Sequence, residues 1–343
     1  MTTSNKDFFK TNVTLRITAL WAFSEAFMGG ILHGLKFPFA GLVLAFTASV
    51  CITLIALGNT KKGEILKATL LVIAVKFILS PHTPPTAYAA VFIQGIAGEL
   101  LFINKRFLKP AAFILTLFSL LYSAFQMLLT LTIVFGNGFW KAIDVFLNKV
   151  TQSFNANTIH YSLYLVLFYV ICYLVAGITG GLLNIKIINS VQAGNQTSAL
   201  LLQLNSLPAA DEPVIVNTTS FKRKKWLAFI FGSTMLLLLI CAYLPFFNTS
   251  FAKSQIPGLI IRGIVILLVW NYFVTPLLRL QIQKWVSRYK EKNGNALQQV
   301  IALMPGIRIM VQQSWQLSEQ PKRWLRFKSF INNTVLLIVH HEQ

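Results

Sequence analysis

Blocks of about twenty apolar residues, parted by short polar breaks, run through this chain of 343 residues. A helix of that length covers the ~30 Å of hydrocarbon in a bilayer. Inside hydrocarbon every backbone amide needs an internal partner, so such blocks are compatible with helices and not with open strands. Eight blocks qualify, roughly Thr14 to His33, Phe39 to Leu57, Ile65 to Leu79, Thr86 to Phe102, Ala111 to Phe135, Tyr161 to Leu183, Trp226 to Phe246 and Leu259 to Leu278. Each ends at a physical stop: Lys36-Phe37-Pro38, Gly58-Asn59 with Lys61-Lys62-Gly63, Ser80 to Pro85, Lys105 to Pro110. Proline and glycine end helices, and charge resists burial in lipid. A β-barrel would need short alternating segments, which are not the pattern here.

Charge supports this reading. Only 12% of residues are charged, against 55% hydrophobic. The net charge of +20 does not point to nucleic acid, because its carriers follow membrane topology. With the amino terminus placed in the cytoplasm, all but six of the 30 Lys and Arg residues fall on the inner side. The six are Lys36, Lys76, Lys141, Lys149, Lys253 and Arg262. Both termini are therefore expected in the cytoplasm, with the chain in the inner (cytoplasmic) membrane. The first apolar run is longer than a signal-peptide core and flows into the next segment, so it reads as a span. Cys51, Cys172 and Cys241 all sit in apolar runs, without metal spacing or a disulfide framework.

Between the spans, Gly136 to His160 carries Phe139, Ile143, Phe146, Val150 and Phe154 at helical spacing. That predicts a helix lying on the outer face. From Asn189 the chain turns polar and closes on Phe221-Lys222-Arg223-Lys224-Lys225, a linker with an inner-side anchor. Beyond Leu278, apolar stripes recur: Ile282, Trp285 and Tyr289; Leu297, Val300, Ile301 and Met304; Ile307, Met310, Val311 and Trp315. These predict basic amphipathic helices on the cytoplasmic side, free to lie on the membrane or to dock a partner. The segment Phe327 to Val339 is apolar but short for a crossing.

Hydrogen-bonding side chains within apolar spans are expensive, so each is a candidate for function. Glu25 lies mid-span in the first block, Gln94 mid-span in the fourth, and Glu99 deeper toward the cytoplasm. Lys76, His33 and His82 lie at outer ends. His33, Lys76, His82 and Gln94 then share the outer half, where a polar pocket can open. Gln94 and Glu99 are five positions apart, about 140° around a helix, so one narrow site cannot take both. Gln94 is the better placed for the pocket; Glu99, on the face of Gly95, is expected to meet a neighbouring helix or a partner. Ordinary helix–helix hydrogen bonding is the competing explanation for each. Ala22, Ala26 and Gly30 form a small-residue ridge on which another helix can settle, and Gly177, Gly180 and Gly181 are similar. No nucleotide-binding loop, hydrolase elbow, metalloprotease motif or paired-Asp diphosphate site is present, so an enzyme is not expected and no cofactor is implied.

The Ala22-xxx-Ala26 ridge, the Lys36-Phe-Pro-Phe-Ala-Gly41 run, Pro81-His-Thr-Pro-Pro-Thr86 and Gln94-Gly-Ile-Ala-Gly-Glu99 together resemble the substrate-binding membrane subunit (S component) of energy-coupling factor transporters. The proline turn followed by the Gln–Glu segment is similar to its thiamine-precursor members. The resemblance covers about residues 12 to 186. It implies an all-α, polytopic helical membrane protein with a six-helix bundle over 1–188. A polar cytoplasmic linker, 189–225, and a module over 226–343 follow, the last with two further transmembrane helices and cytoplasmic amphipathic helices. It also implies a small-molecule substrate, a vitamin or its precursor, taken from outside in a pocket lined by the Pro81-His-Thr-Pro-Pro85 turn and the neighbouring helix ends, for which the polar side chains Gln94, Glu25, His33, Lys76, His82 and Glu99 are the candidate contacts. The face of Ala22, Ala26 and Gly30 would dock a transmembrane coupling subunit, and cytoplasmic ATPases would supply the energy. The second half resembles that coupling subunit, but in place of its Ala-Arg-Gly docking motif stands Pro305-Gly306-Ile307-Arg308. Two other functions fit the same residues: a non-transporting scaffold that recruits partners through its basic tail, and an enzyme or accessory acting on lipid through carboxylates brought together by the fold.

Overall fold

The structure, a computed structural model, describes residues 3–30, 39–58, 61–80, 83–152, 160–193, 260, 263–318 and 323–340. It is all-helical, with no strand among the described residues. Helix α1 (Thr3–Phe23) runs into a π turn at Ser24–Met28. Then come α2 (Ala40–Gly58), α3 (Glu64–Leu79), α4 (Pro85–Leu101), α5 (Leu108–Phe135), α6 (Asn137–Gln152) and α7 (Tyr161–Ala193). After a second π turn at Trp270–Val274 follow α8 (Thr275–Gln316) and α9 (Arg323–His340).

Among the described residues four helical stretches are long and apolar enough to cross a membrane: Ala40–Gly58, Leu108–Phe135, Tyr161–Ala193 and Gly263–Gln316. The blocks expected from sequence fall on helices wherever they are described. The block at Trp226 to Phe246 lies outside the described residues. Helices α3 and α4 are shorter, with 16 and 17 residues, or about 24 and 26 Å at 1.5 Å per residue. Local chemistry sets their ends. Gly63 precedes α3 with φ of 85°, a conformation that suits glycine. Pro85 opens α4 at its first position, where its missing N–H is not needed.

Two compact units divide the chain. Met1–Ala124, Tyr173–Pro213 and Leu278–Gln343 form the first, and Phe125–Cys172 with Val214–Leu277 the second. The first unit is built on α2 and α3. Residues 48–56 of α2 and 71–76 of α3 are buried without interruption, so each helix is covered on every side. Helix α4 returns antiparallel to α3 and fits closely because it carries glycine at the crossing. A Cβ on Gly95 would collide with the Thr69 side chain, and one on Gly98 with Ile52. A Cβ on Gly181 of α7 would collide with Phe113 of α5, and one on Gly180 would press closely on Phe46 of α2, as the small-residue spacing in that block anticipates.

The tail joins this core. Val286, Leu297, Val300 and Ile307 of α8 and Val335 and Ile338 of α9 belong to one buried cluster with α1, α2 and α3. The stripes at Trp285, Tyr289, Ile301, Met304, Met310 and Val311 pack against it. The first unit therefore combines residues from both ends of the chain. The reason is that the amphipathic stripes find their apolar partner within the same chain. Asn333 Nδ2 donates to Ser318 Oγ at 3.1 Å, and the Arg326 guanidinium stacks 4.4 Å from the Trp315 ring, which holds α9 to the end of α8.

In the second unit, Gly136, with φ of 73°, makes the corner between α5 and α6. The helix expected over this segment is present as α6. Its Asp144 accepts from the Ser162 backbone N–H at 2.6 Å and from Ser162 Oγ at 3.0 Å, which caps the start of α7.

Because Thr69 is fully buried and bonded to Ile65 O, it has nowhere to move. Gly95→Val is expected to destabilise the protein by about 1–3 kcal/mol, the usual range for overpacking, measured by thermal unfolding of the detergent-purified chain. An unchanged melting temperature would show that α3 and α4 are not in close contact.

Candidate functional site

A helix that opens into a π turn exposes side chains and carbonyls that a regular ladder would hide, and such turns are frequent at functional sites. Here the turn Ser24–Met28 directs Glu25 at α3. Glu25 Oε2 lies 2.7 Å from Lys76 Nζ. Both residues are almost completely enclosed, at 4% and 3% exposure. The same turn presents its Ala26 carbonyl to Ser80 Oγ, which donates at 3.2 Å. Tyr88 of α4 closes the group: its hydroxyl donates to Ser80 O at 3.1 Å, and its ring centroid is 5.8 Å from Lys76 Nζ. Three helices thus converge on one buried ion pair with an aromatic wall. In a low-dielectric interior, such a pair is costly to break, since either charge left alone is unsatisfied.

Gln94, at 4% exposure, lies on the buried face of α4 with Tyr88, Val91, Gly95 and Gly98, the face turned toward α3. The structure therefore turns Glu25, Lys76 and Gln94 inward, and it joins the first two directly. Glu99 goes elsewhere. Its carboxylate accepts from the backbone N–H of Gly63 at 2.5 Å and of Leu66 at 3.2 Å. It thereby supplies, from a neighbouring helix, the cap that Gly63 has no side chain to provide. This is the neighbouring-helix contact expected for Glu99, and it removes that carboxylate from the Glu25 site. His33 and His82 lie outside the described residues. Of the small-residue ridge, Ala22 and Ala26 are buried in the chain's own core, and Gly30 alone is exposed. Among the described residues no group of three His, Cys, Asp or Glu is placed to hold a metal.

The sequence reading missed a second polar cluster. Asn184 of α7 donates through Nδ2 to Thr53 Oγ1 of α2 at 3.1 Å and to Thr116 Oγ1 of α5 at 3.0 Å. Thr116 in turn donates to Ser49 Oγ at 3.2 Å. All four side chains are fully buried. Among the described residues the buried Asn184 Oδ1 atom and the Ser119 hydroxyl have no hydrogen-bond partner. Ser49 and Thr53 are spaced four apart on α2, a one-face signal that was available, but Asn184 fell just past the expected end of its block.

Two cavities flank the α7–α9 seam. One, of about 350 Å³, is walled by α1, α2, α5, α7, α8 and α9, with Phe23, Phe46, Val50, Leu183, Phe327 and Ile331 among its lining. Its hydroxyls, those of Ser24, Thr47, Thr179 and Thr334, each donate to a carbonyl of their own helix. It offers a guest shape and chiefly apolar contact. The other, of about 420 Å³, is lined by Lys186, Ser190, Lys328, Ser329 and Asn332 together with Leu183, Ile187 and Leu325. Comparisons of the chain with protein-family models, with curated proteins and with solved structures find no match.

The ion pair is testable without knowing a ligand. Lys76→Met leaves the Glu25 carboxylate buried without its partner and is expected to cost about 3 kcal/mol. Adding Glu25→Gln to it should restore much of the loss, read as a coupling energy in a double-mutant cycle of unfolding. Strict additivity would mean that the two side chains do not interact. Glu99→Gln should cost about 1 kcal/mol through the weakened cap of α3.

Proposed function

We propose that this chain is a polytopic membrane protein that binds a small solute from outside and serves as the substrate-binding membrane subunit of an ATP-driven uptake system of the energy-coupling factor type. The observation that carries it is the buried Glu25–Lys76 pair at the π turn of α1. Ionisable groups within apolar spans are rare, and where they occur they commonly mark a substrate or ion path. A solute with a cationic group can replace Lys76 at Glu25, and one with a carboxylate or phosphate can replace Glu25 at Lys76. The Tyr88 ring beside the pair suits the cationic case, and Gln94 is a further buried amide on the same helix. The inner location of Lys and Arg, the long apolar helices and the many exposed apolar side chains of α5 and α7, such as Phe118, Leu129, Phe168 and Val175, support the membrane part of this reading. The resemblance over residues 12 to 186 supports the transport part. With Ala22 and Ala26 enclosed, Gly30 remains the exposed point of the ridge for a coupling subunit. The scaffold alternative is less well supported, because the apolar stripes a partner would grip are occupied by the chain's own core.

Water-soluble vitamins and their precursors, screened by thermal stabilisation of the purified chain, should include one that raises its melting temperature. Glu25→Gln with Lys76→Met should abolish that rise while leaving the protein folded, and cytoplasmic ATPases should co-purify from the native host. If no compound stabilises the chain and no ATPase accompanies it, the uptake role is wrong. Reporter fusions at the two ends should both signal from the cytoplasm; a signal from outside at either end would refute the proposed topology.

A further inference from the structure

The two cavities at the α7–α9 seam share a wall at Leu183. Along α7, Ala176, Thr179 and Gly180 line the apolar one, and Lys186, Ile187 and Ser190 the polar one. Chemistry therefore changes in one direction along the helix, from hydrocarbon-like to cationic, over about 20 Å. Helix α9 repeats the split around its circumference. Leu325, Lys328, Ser329 and Asn332 face the polar cavity, while Phe327, Phe330, Ile331 and Val335 face the apolar one.

We propose that these two cavities form one binding site for an anionic phospholipid. Lys186 and Lys328 hold the phosphate, with Ser190 and Ser329 within the same lining. One acyl chain passes Leu183 into the apolar cavity. Three observations argue for this occupant. The polar cavity draws one lysine from each of two helices and has no acidic residue in its lining. Neither lysine is ion-paired to a carboxylate among the described residues, where Glu64, Glu25 and Asp144 are the carboxylates that form such pairs. The apolar cavity is lined mainly by aliphatic and aromatic side chains, and its serine and threonine hydroxyls already donate their one proton to their own helices, so a hydrocarbon chain suits it better than a polar guest. In the proposed topology the lysine end of α7 is cytoplasmic. The headgroup would then lie at the inner surface, where basic pockets between helices recognise anionic lipids, and the tail would point toward the bilayer centre. The assignment rests on the membrane part of the function proposed above and not on uptake.

The test uses the full chain purified in mild detergent, with native mass spectrometry to count bound lipid and thermal unfolding to read stabilisation. Phosphatidylglycerol and phosphatidylethanolamine with identical acyl chains are compared, alongside inorganic phosphate. Phosphatidylglycerol should remain bound and stabilise the chain more than phosphatidylethanolamine. Lys186→Gln with Lys328→Gln should weaken its binding about tenfold or more. Both lysines are exposed, so this variant should keep the parent's size-exclusion profile. Ala176→Phe, which fills the apolar cavity, should weaken binding with both lysines in place. Equal binding of the two lipids, or retention of phosphatidylglycerol by the lysine variant, would overturn the site. So would inorganic phosphate stabilising the chain as well as the lipid does, since the tail would then contribute nothing. A chain that stays soluble and monodisperse without detergent would remove the membrane reading itself, a failure separable from these.

Discussion

Helix α3 is held by carboxylates from two neighbours, one at each end. Glu99 of α4 caps its first turn at Gly63 and Leu66, and Glu25 of α1 meets Lys76 in its last turn. Toward the second of these points the helix is buried without interruption over residues 71–76. Apolar packing alone lets a helix slide or rotate, because one methyl group substitutes for another. Two directional contacts some 13 residues apart fix both its height and its rotation. The positions of α1, α2 and α4 follow, since each packs on α3. A chain with only 10 acidic residues has placed two of them to frame a single helix, and a third, Asp144, caps α7 by the same device.

This arrangement gives the site its character. Glu25 and Lys76 satisfy each other, so neither stands as an isolated buried charge. The pair is stable when closed and can accept a guest only by exchange of partners. The apolar cavity has the opposite chemistry, lined mainly by aliphatic and aromatic side chains. One unit thus contains a charged locus, an apolar recess and a cationic pocket on different faces of its helices. A solute site and a lipid site can then coexist without competing for the same side chains.

Much of the framework was legible in the sequence because burial in apolar surroundings is written into composition. Helix limits at Gly58, Gly63 and Pro85 followed from residues with a single backbone preference. That Glu25, Lys76 and Gln94 face inward followed from the cost of exposing them to hydrocarbon. The pairing of Glu25 with Lys76 did not follow, because 51 positions separate them and helix rotation is set by packing. The fate of the tail was equally hidden. Trp285, Leu297, Val300 and Ile307 announce an amphipathic helix, but a stripe does not name its partner. Asn184 shows a third limit: a polar residue at the edge of an apolar run reads as a boundary, whereas here the helix continues to Ala193 and the side chain bonds two other helices.

The wide turn at Ser24–Met28 changes how α1 should be compared with any other helix. It behaves as one residue inserted into a regular spiral, so everything beyond it is turned by about 100° relative to what precedes it. A helical wheel drawn straight through from Thr14 to Gly30 assigns the two halves a common face that they do not share. The Ala22, Ala26 and Gly30 ridge is such a case: its first two members are interior and its third is not. In a sister chain lacking the insertion, the acidic side chain would swing off the lysine while the segment before it kept its place. The presence or absence of a single alignment gap at this turn would therefore sort relatives that carry the charge pair from those that do not.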